Sequence, residues 1–211
     1  MGETRVDLLH LLEDLADAYP GDLHETVLTE IVANALDSGA SRLILEPDAA
    51  ARTFTVTDNG GGMTRADLRR FHDVAMSTKE RGEGIGFAGV GIKLGLLVSE
   101  EVITESRRGA SHISTSWSLV SRKRAPWRWI TPLGLAGERG TAVRLRLTDV
   151  LSPLLDTGFI EAALRRHFEP LFDPAFDEIL QAHYPEGVTF AVGAGVLERL
   201  PGADDLRSPL L

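Results

Sequence analysis

Three oxygen-bearing side chains, Glu30, Asn34 and Asp37, recur at one-turn spacing within Thr26 to Ala40, TVLTEIVANALDSGA. On a helix, at about 100° per residue, they fall within roughly 60° of one another beside an apolar half-turn of Val27, Leu28, Ile31, Val32, Ala35 and Leu36. An acid and an amide at i, i+4 share a face and can reach one small object, such as a hydrated cation or a water about to lose a proton. Taken alone, the three residues also read as the solvated edge of an ordinary amphipathic helix. Asp58 poses a second chemical question. It ends TFTVTD, where alternation puts Phe54, Val56 and Asp58 on one face, so a carboxylate points the way the core residues point. That is costly unless something donates hydrogen bonds to it. The glycines of Asn59-Gly60-Gly61-Gly62-Met63 let a backbone approach a flat ligand closely, which suggests a buried acid at the floor of a pocket with a glycine wall. By itself DNGGG is also a plain turn.

The elements that must position these groups follow from the surrounding pattern. Residues 4–19 show helical apolar spacing that stops before Pro20-Gly21, Asp22 suits the N-cap of the next helix, and Ser38-Gly39 suits its end. Arg42 to Glu46 and Thr53 to Asp58 read as strands, and Thr64 with Asp67 marks a capped helix, Arg65 to Val74. Met76 to Glu83 is polar and loop-like and leads into Gly84-Ile85-Gly86-Phe87-Ala88-Gly89-Val90-Gly91-Ile92-Lys93. Its GxGxxG (Gly84, Gly86, Gly89) is not a dinucleotide fingerprint, because no strand precedes it, and no GxxxxGK[ST] phosphate loop occurs. What remains is a glycine-rich segment feeding a helix, Val90 to Val98, whose free N–H groups suit a phosphate chain and whose loop can close as a lid.

Beyond Ser99 the pattern turns to strands at Glu101 to Ser106, Ser111 to Val120, Trp127 to Pro132 and Thr141 to Leu147. Helices follow at 159–168 and 174–183, then a hairpin over Gly187 to Leu200 turning at Gly193-Ala194-Gly195. Arg122-Lys123-Arg124 beside Trp127 and Trp129 reads either as a nucleic-acid contact or as a charged hairpin tip before an edge strand. Helices first and paired strands later make the class α+β. A composition shift at Leu151 to Gly158 divides a main part, 1–150, which carries all of these motifs and the expected lid at about 76–92, from a small C-terminal extension, 151–211.

Composition narrows the alternatives. The chain has 211 residues, enough for one full domain, with 43% hydrophobic and 25% charged residues and no apolar run long enough for a membrane span. Its start carries acids within the apolar periodicity and no basic n-region, so a cytoplasmic protein without membrane partners is expected. With no cysteine and six scattered histidines, disulfides and structural zinc are excluded. The net charge of −9 disfavours non-specific coating of nucleic acid, while leaving room for a local basic patch.

EIVANALDSGA, DNGGGM, STK (Ser77 to Lys79), GFAGVGIKLGLLVSE (Gly86 to Glu100) and RGTAVRLRL (Arg139 to Leu147), in this order, resemble the GHKL ATPases, which include DNA gyrase, heat-shock chaperones, histidine kinases and MutL proteins. The resemblance implies the Bergerat two-layer sandwich, a mixed, mostly antiparallel sheet with helices on one face. It implies ATP and ADP as ligands and Mg²⁺ as cofactor. Glu30 then matches the general base on the attacking water, Asn34 the Mg²⁺ ligand, and Asp58 the acceptor of the adenine amine. Gly60, Gly62 and Met63 match the loop flanking the base, and Thr141 the hydroxyl that supports its recognition through water. Gly86, Phe87, Gly89, Val90 and Gly91 match the lid and the phosphate-binding helix start. Ser77, Lys79 and Lys93 resemble phosphate contacts of MORC-like and heat-shock members, and Asp37 an acid at the pocket rim.

The resemblance leaves three functions to separate. The first is an ATPase whose nucleotide state drives lid closure, homodimerisation or a conformational clamp. Gyrase- and MutL-type members take a lysine for the γ-phosphate from a following domain, yet residues 151–211 contain none, so the second is a nucleotide-binding regulatory module without significant turnover. The third is a histidine kinase, which His24-Glu25 superficially suits, although these residues sit directly before the Glu30 helix.

Overall fold

The computed structural model describes residues 6–73 and 91–201. Its eight strands form one sheet in the order β5-β4-β3-β6-β2-β1-β7-β8. These are β1 (Arg42–Asp48), β2 (Thr53–Asp58), β3 (Ser99–Arg108), β4 (Ser111–Trp117), β5 (Trp127–Ile130), β6 (Gly140–Leu147), β7 (Thr189–Val192) and β8 (Gly195–Val196). Every pairing is antiparallel except β1 with β7. The helices are α1 (Leu8–Asp17), α2 (Leu23–Asp37), α3 (Arg65–Phe71), α4 (Gly91–Val98), α5 (Thr157–His167), α6 (Glu169–Phe172) and α7 (Asp177–Leu180). This is the mixed α+β sandwich expected from the sequence. Among the described residues no helix is long and apolar enough to cross a membrane.

The core forms because α2, α4 and α5 bury apolar stripes against alternate residues of the sheet. Val27, Leu28, Ile31 and Val32 meet Leu94, Phe54, Val56, Leu145 and Leu147 in one cluster, all at most 5% exposed. The segment after Leu151 contributes to this core through Ile160, Leu164 and Phe190, and β7 extends the sheet from β1.

Local chemistry sets the element ends. Asp22 accepts from the N–H groups of His24 and Glu25 at the start of α2, and Ser38 caps its end with Gly39 at φ +77°. Thr64 and Asp67 form a reciprocal capping box, but α3 stops at Phe71 rather than at Val74. There His72 is buried, stacked on Trp127 with ring centroids 4.4 Å apart. The expected helix over 174–183 is shorter still, because Asp173 caps a 3-10 turn at Pro174–Phe176 and only Asp177–Leu180 is α-helical. The basic run forms a hairpin tip bridged from Ser121 to Arg124, and β5 behind it is the sheet's edge strand. Arg122 pairs with Asp7 at 3.0 Å, and the Arg65 guanidinium lies 3.9 Å from the Trp129 ring centroid.

Candidate active site

Helix α2 joins the two chemical features. Glu30 lies on it and is 7% exposed, while Asn34, one turn later, is half-buried. The Tyr19 hydroxyl, from the turn between α1 and α2, donates to Glu30 Oε1 at 3.3 Å. Burial, followed by the Glu30 charge, raises the Tyr19 phenol above its ordinary range, so it remains a donor at neutral pH. On the other side, Gly91 packs so tightly that a β-carbon there would overlap Cβ, Cγ and Cδ of Glu30. Lys93, two residues on, is 2% exposed; burial pulls its ammonium down to about 8, while the carboxylates of Asp73 and Glu30 favour its charged form. Its Nζ lies 5.7 Å from the Phe71 ring centroid. One end of the candidate site therefore gathers Glu30, Asn34, Gly91 and Lys93.

The other end is built where β2 runs out. Asp58 is 8% exposed, and its Oδ1 accepts from the N–H of Gly60 at 2.8 Å and of Thr141 at 3.2 Å. Burial nevertheless prevails and raises its carboxyl to about 6. The loop after Asp58 docks on the end of α2: Gly61 N–H donates to the Ser38 carbonyl at 2.9 Å, and a β-carbon on Gly60 would overlap Ser38 Oγ. Gly62, at φ +65°, lies against the Arg107 carbonyl, and the Met63 N–H donates to Ser106 Oγ at 2.7 Å. Ser38 is eight residues beyond Glu30, so the two ends stand about 12 Å apart along α2 at 1.5 Å per residue. That spacing is on the scale of a nucleoside triphosphate.

The Asp37 carboxylate adds to the burial that raises the Tyr184 phenol, so it lies near the segment leading into β7. Ser77, Lys79, Gly86, Phe87, Gly89 and Val90 lie outside the described residues, as does most of the expected lid. Two residues absent from the sequence-based set belong to the Asp58 end. Gly140, at φ +112°, lies so close to the Asp58 carbonyl that no side chain fits, and the glycine directly before Thr141 was the available signal. Ser106 is fully buried between Met63 and Thr141. Nothing in its sequence neighbourhood marks it.

Residues 22–132 match the family described as histidine kinase-, DNA gyrase B-, and HSP90-like ATPase. The chain is 26% identical over 208 residues to the chaperone protein HtpG of Geobacter metallireducens, covering 91% of this chain and 31% of that protein. It is 30% identical over 134 residues to HtpG of Methylorubrum extorquens strain PA1, covering 55% and 21%. With the DNA mismatch repair protein MutL of Dichelobacter nodosus it shares 29% identity over 129 residues, covering 57% and 20%. The chain thus spans between 20% and 31% of the length of these relatives. The family match runs across more than half of the sequence and takes in Glu30 and Asp58, the acids at the two ends of the candidate site, and the chain belongs to the histidine kinase-, DNA gyrase B- and HSP90-like (GHKL) ATPases.

Proposed function

We propose that the chain binds ATP with Mg²⁺ and hydrolyses it to ADP and phosphate. The observation that carries this reading is the construction of α2: Gly91 closes on Glu30 at one point, and the loop after Asp58 docks two turns further on. An anionic chain held beside α4 would reach Glu30, while a flat base capped by the glycine loop would reach Asp58. The Asp58 carboxylate accepts from a ring amine through Oδ2, since both of its described hydrogen bonds fall on Oδ1. Glu30 accepts a proton from the attacking water, with the Tyr19 hydroxyl fixing its Oε1. Lys93 offsets phosphate charge.

Among the described residues no group of three or more His, Asp or Glu side chains could hold a metal by itself. That donor set suits Mg²⁺, which keeps waters and substrate phosphates as ligands and takes only one or two oxygens from a protein. Asn34 is the residue that would supply one, and the bound ion would neutralise charge on the phosphate oxygens. Lid closure over residues 76–92 and homodimerisation, coupled to the nucleotide, belong to the same proposal and are supported by family membership.

A second reading is that these residues bind the nucleotide without turning it over by themselves, since residues 151–211 hold no lysine for a γ-phosphate. Glu30→Ala separates the two. ATPase activity that falls by about 10²-fold or more with ATP affinity unchanged supports hydrolysis by this chain. Equal hydrolysis by the variant contradicts the role of Glu30, and ATP binding without turnover by the unaltered chain selects the second reading.

A further inference from the structure

The sheet order puts β6 between β3 and β2, so the loop leaving β2 at Asp58 must pass over the start of β6 to reach β3. It does so above Gly140, whose missing side chain opens the crossing, and it lands on Ser106. Ser106 is 0% exposed. Its Oγ accepts from the Met63 N–H at 2.7 Å, donates to the Gly140 carbonyl at 3.1 Å and lies 3.2 Å from Thr141 Oγ1. Thr141 N–H in turn reaches back to Asp58 Oδ1. Asp58, Thr141, Ser106 and Met63 therefore close a ring in which one hydroxyl bonds both walls of the base end. The neighbouring Glu105 faces the opposite side of β3 and accepts from the N–H groups of Leu133, Leu135 and Ala136, which fixes the segment leading into Gly140.

We propose that Ser106 is the positioning residue of the base site: its hydroxyl sets the separation of the Met63 and Thr141 walls and thereby the affinity for the nucleoside, without entering the phosphate chemistry. The inference rests on the reading of Asp58 as the base acceptor. Removing the hydroxyl leaves the Met63 N–H and the Gly140 carbonyl without their shared partner. The strand itself keeps its ladder to β6 and β4. The loss therefore falls on the base end and spares the Glu30 end, which is held by α2 and α4.

The test compares adenosine, ATP and inorganic triphosphate by calorimetry on the full chain carrying Ser106→Ala or the near-isosteric Ser106→Cys, with Asp58→Asn alongside. Adenosine and ATP should both weaken by about tenfold, the worth of one hydrogen bond left unmade. Triphosphate affinity should stay unchanged, and KM should rise with kcat constant. Unchanged adenosine affinity overturns the proposal, as does a parallel loss of triphosphate binding, which a general structural defect would produce. If the alanine variant does not fold, the cysteine variant decides by the same readouts. Adenosine binding that survives Asp58→Asn, or is absent from the unaltered chain, overturns the base-site reading itself rather than the role of Ser106 within it.

Discussion

Gly91 rests on the side chain of Glu30 with no space for a β-carbon between them. This contact ties the first residue of α4 to the candidate base on α2, so the position of one helix end fixes where the carboxylate can point. Substituting alanine would normally favour a helix, by about 1 kcal/mol over glycine. Here the added methyl meets Cβ of Glu30, an atom that cannot swing away. Gly91→Ala is expected to cost about 1–3 kcal/mol of stability, as overpacking does, and to lower turnover more than ATP affinity. Urea denaturation together with steady-state ATPase assays checks both. A variant at least as stable and as active as the parent would mean the contact does not constrain Glu30.

Asp58 predicts a pH dependence of nucleoside binding. Burial raises its carboxyl to about 6, and a ring amine needs the ionised form as acceptor. Binding therefore favours the deprotonated state, and affinity is full above pH 6 and falls as the pH drops through that value. The decline approaches tenfold per pH unit once the acid is protonated. Adenosine calorimetry between pH 5 and 8 should follow this course, whereas Asp58→Asn should bind weakly at every pH. A flat profile in the unaltered chain would show that Asp58 does not contact the base.

Lys93 predicts the complementary behaviour at the Glu30 end, where the account puts the phosphates. Burial draws its ammonium down to about 8, so raising the pH through that value removes a positive charge from the site. ATP affinity should fall between pH 7 and 9 while adenosine affinity holds. Lys93→Met should weaken ATP by about ten- to a hundredfold, the worth of one hydrogen bond to a charged group, and leave adenosine unaffected. Equal effects on both ligands would assign Lys93 to packing alone.

Glu105 should make stability depend on pH. Burial alone would raise its carboxyl, but the His112 ring at 2.7 Å and the N–H groups of Leu133 and Ala136 outweigh burial and hold it below its ordinary value of 4.5. An acid lowered in the folded state stabilises fully above its unfolded value, and that contribution is lost as the pH falls below about 4.5. Glu105→Gln should cost about 1–3 kcal/mol near pH 7, since it leaves buried donors partly unmet. The gap between variant and parent should close on acidification below 4.5, as measured by denaturation from pH 3 to 7. A constant gap would contradict the assignment.

Much of the site's scaffold was legible because its signals are local. Asp22 and Gly39 bound α2, TFTVTD is β2 residue for residue, and alternation along it already turned Asp58 toward the core. The rest depends on partners far along the chain. Ser106 is a plain strand serine until Met63, 43 residues earlier on the loop from Asp58, lands on it. Glu105 alternates with Glu101 and Ile103 along the strand, and distant partners, the loop at 133–136 and His112, close over its carboxylate. The parallel pairing of β1 with β7 likewise joins segments nearly 150 residues apart, beyond any local pattern. Of the expected helix at 174–183 only Asp177–Leu180 is α-helical, directly after a 3-10 turn at Pro174–Phe176 that Asp173 caps.

The central claim is that one nucleotide spans α2 from Asp58 to Glu30. A crystal structure with a non-hydrolysable ATP analogue and magnesium tests it most directly. The account predicts the ring amine on the Asp58 carboxylate, the γ-phosphate beside Glu30 and Gly91, and the metal on Asn34. An empty cleft, or a nucleotide bound elsewhere on the sheet, would contradict it.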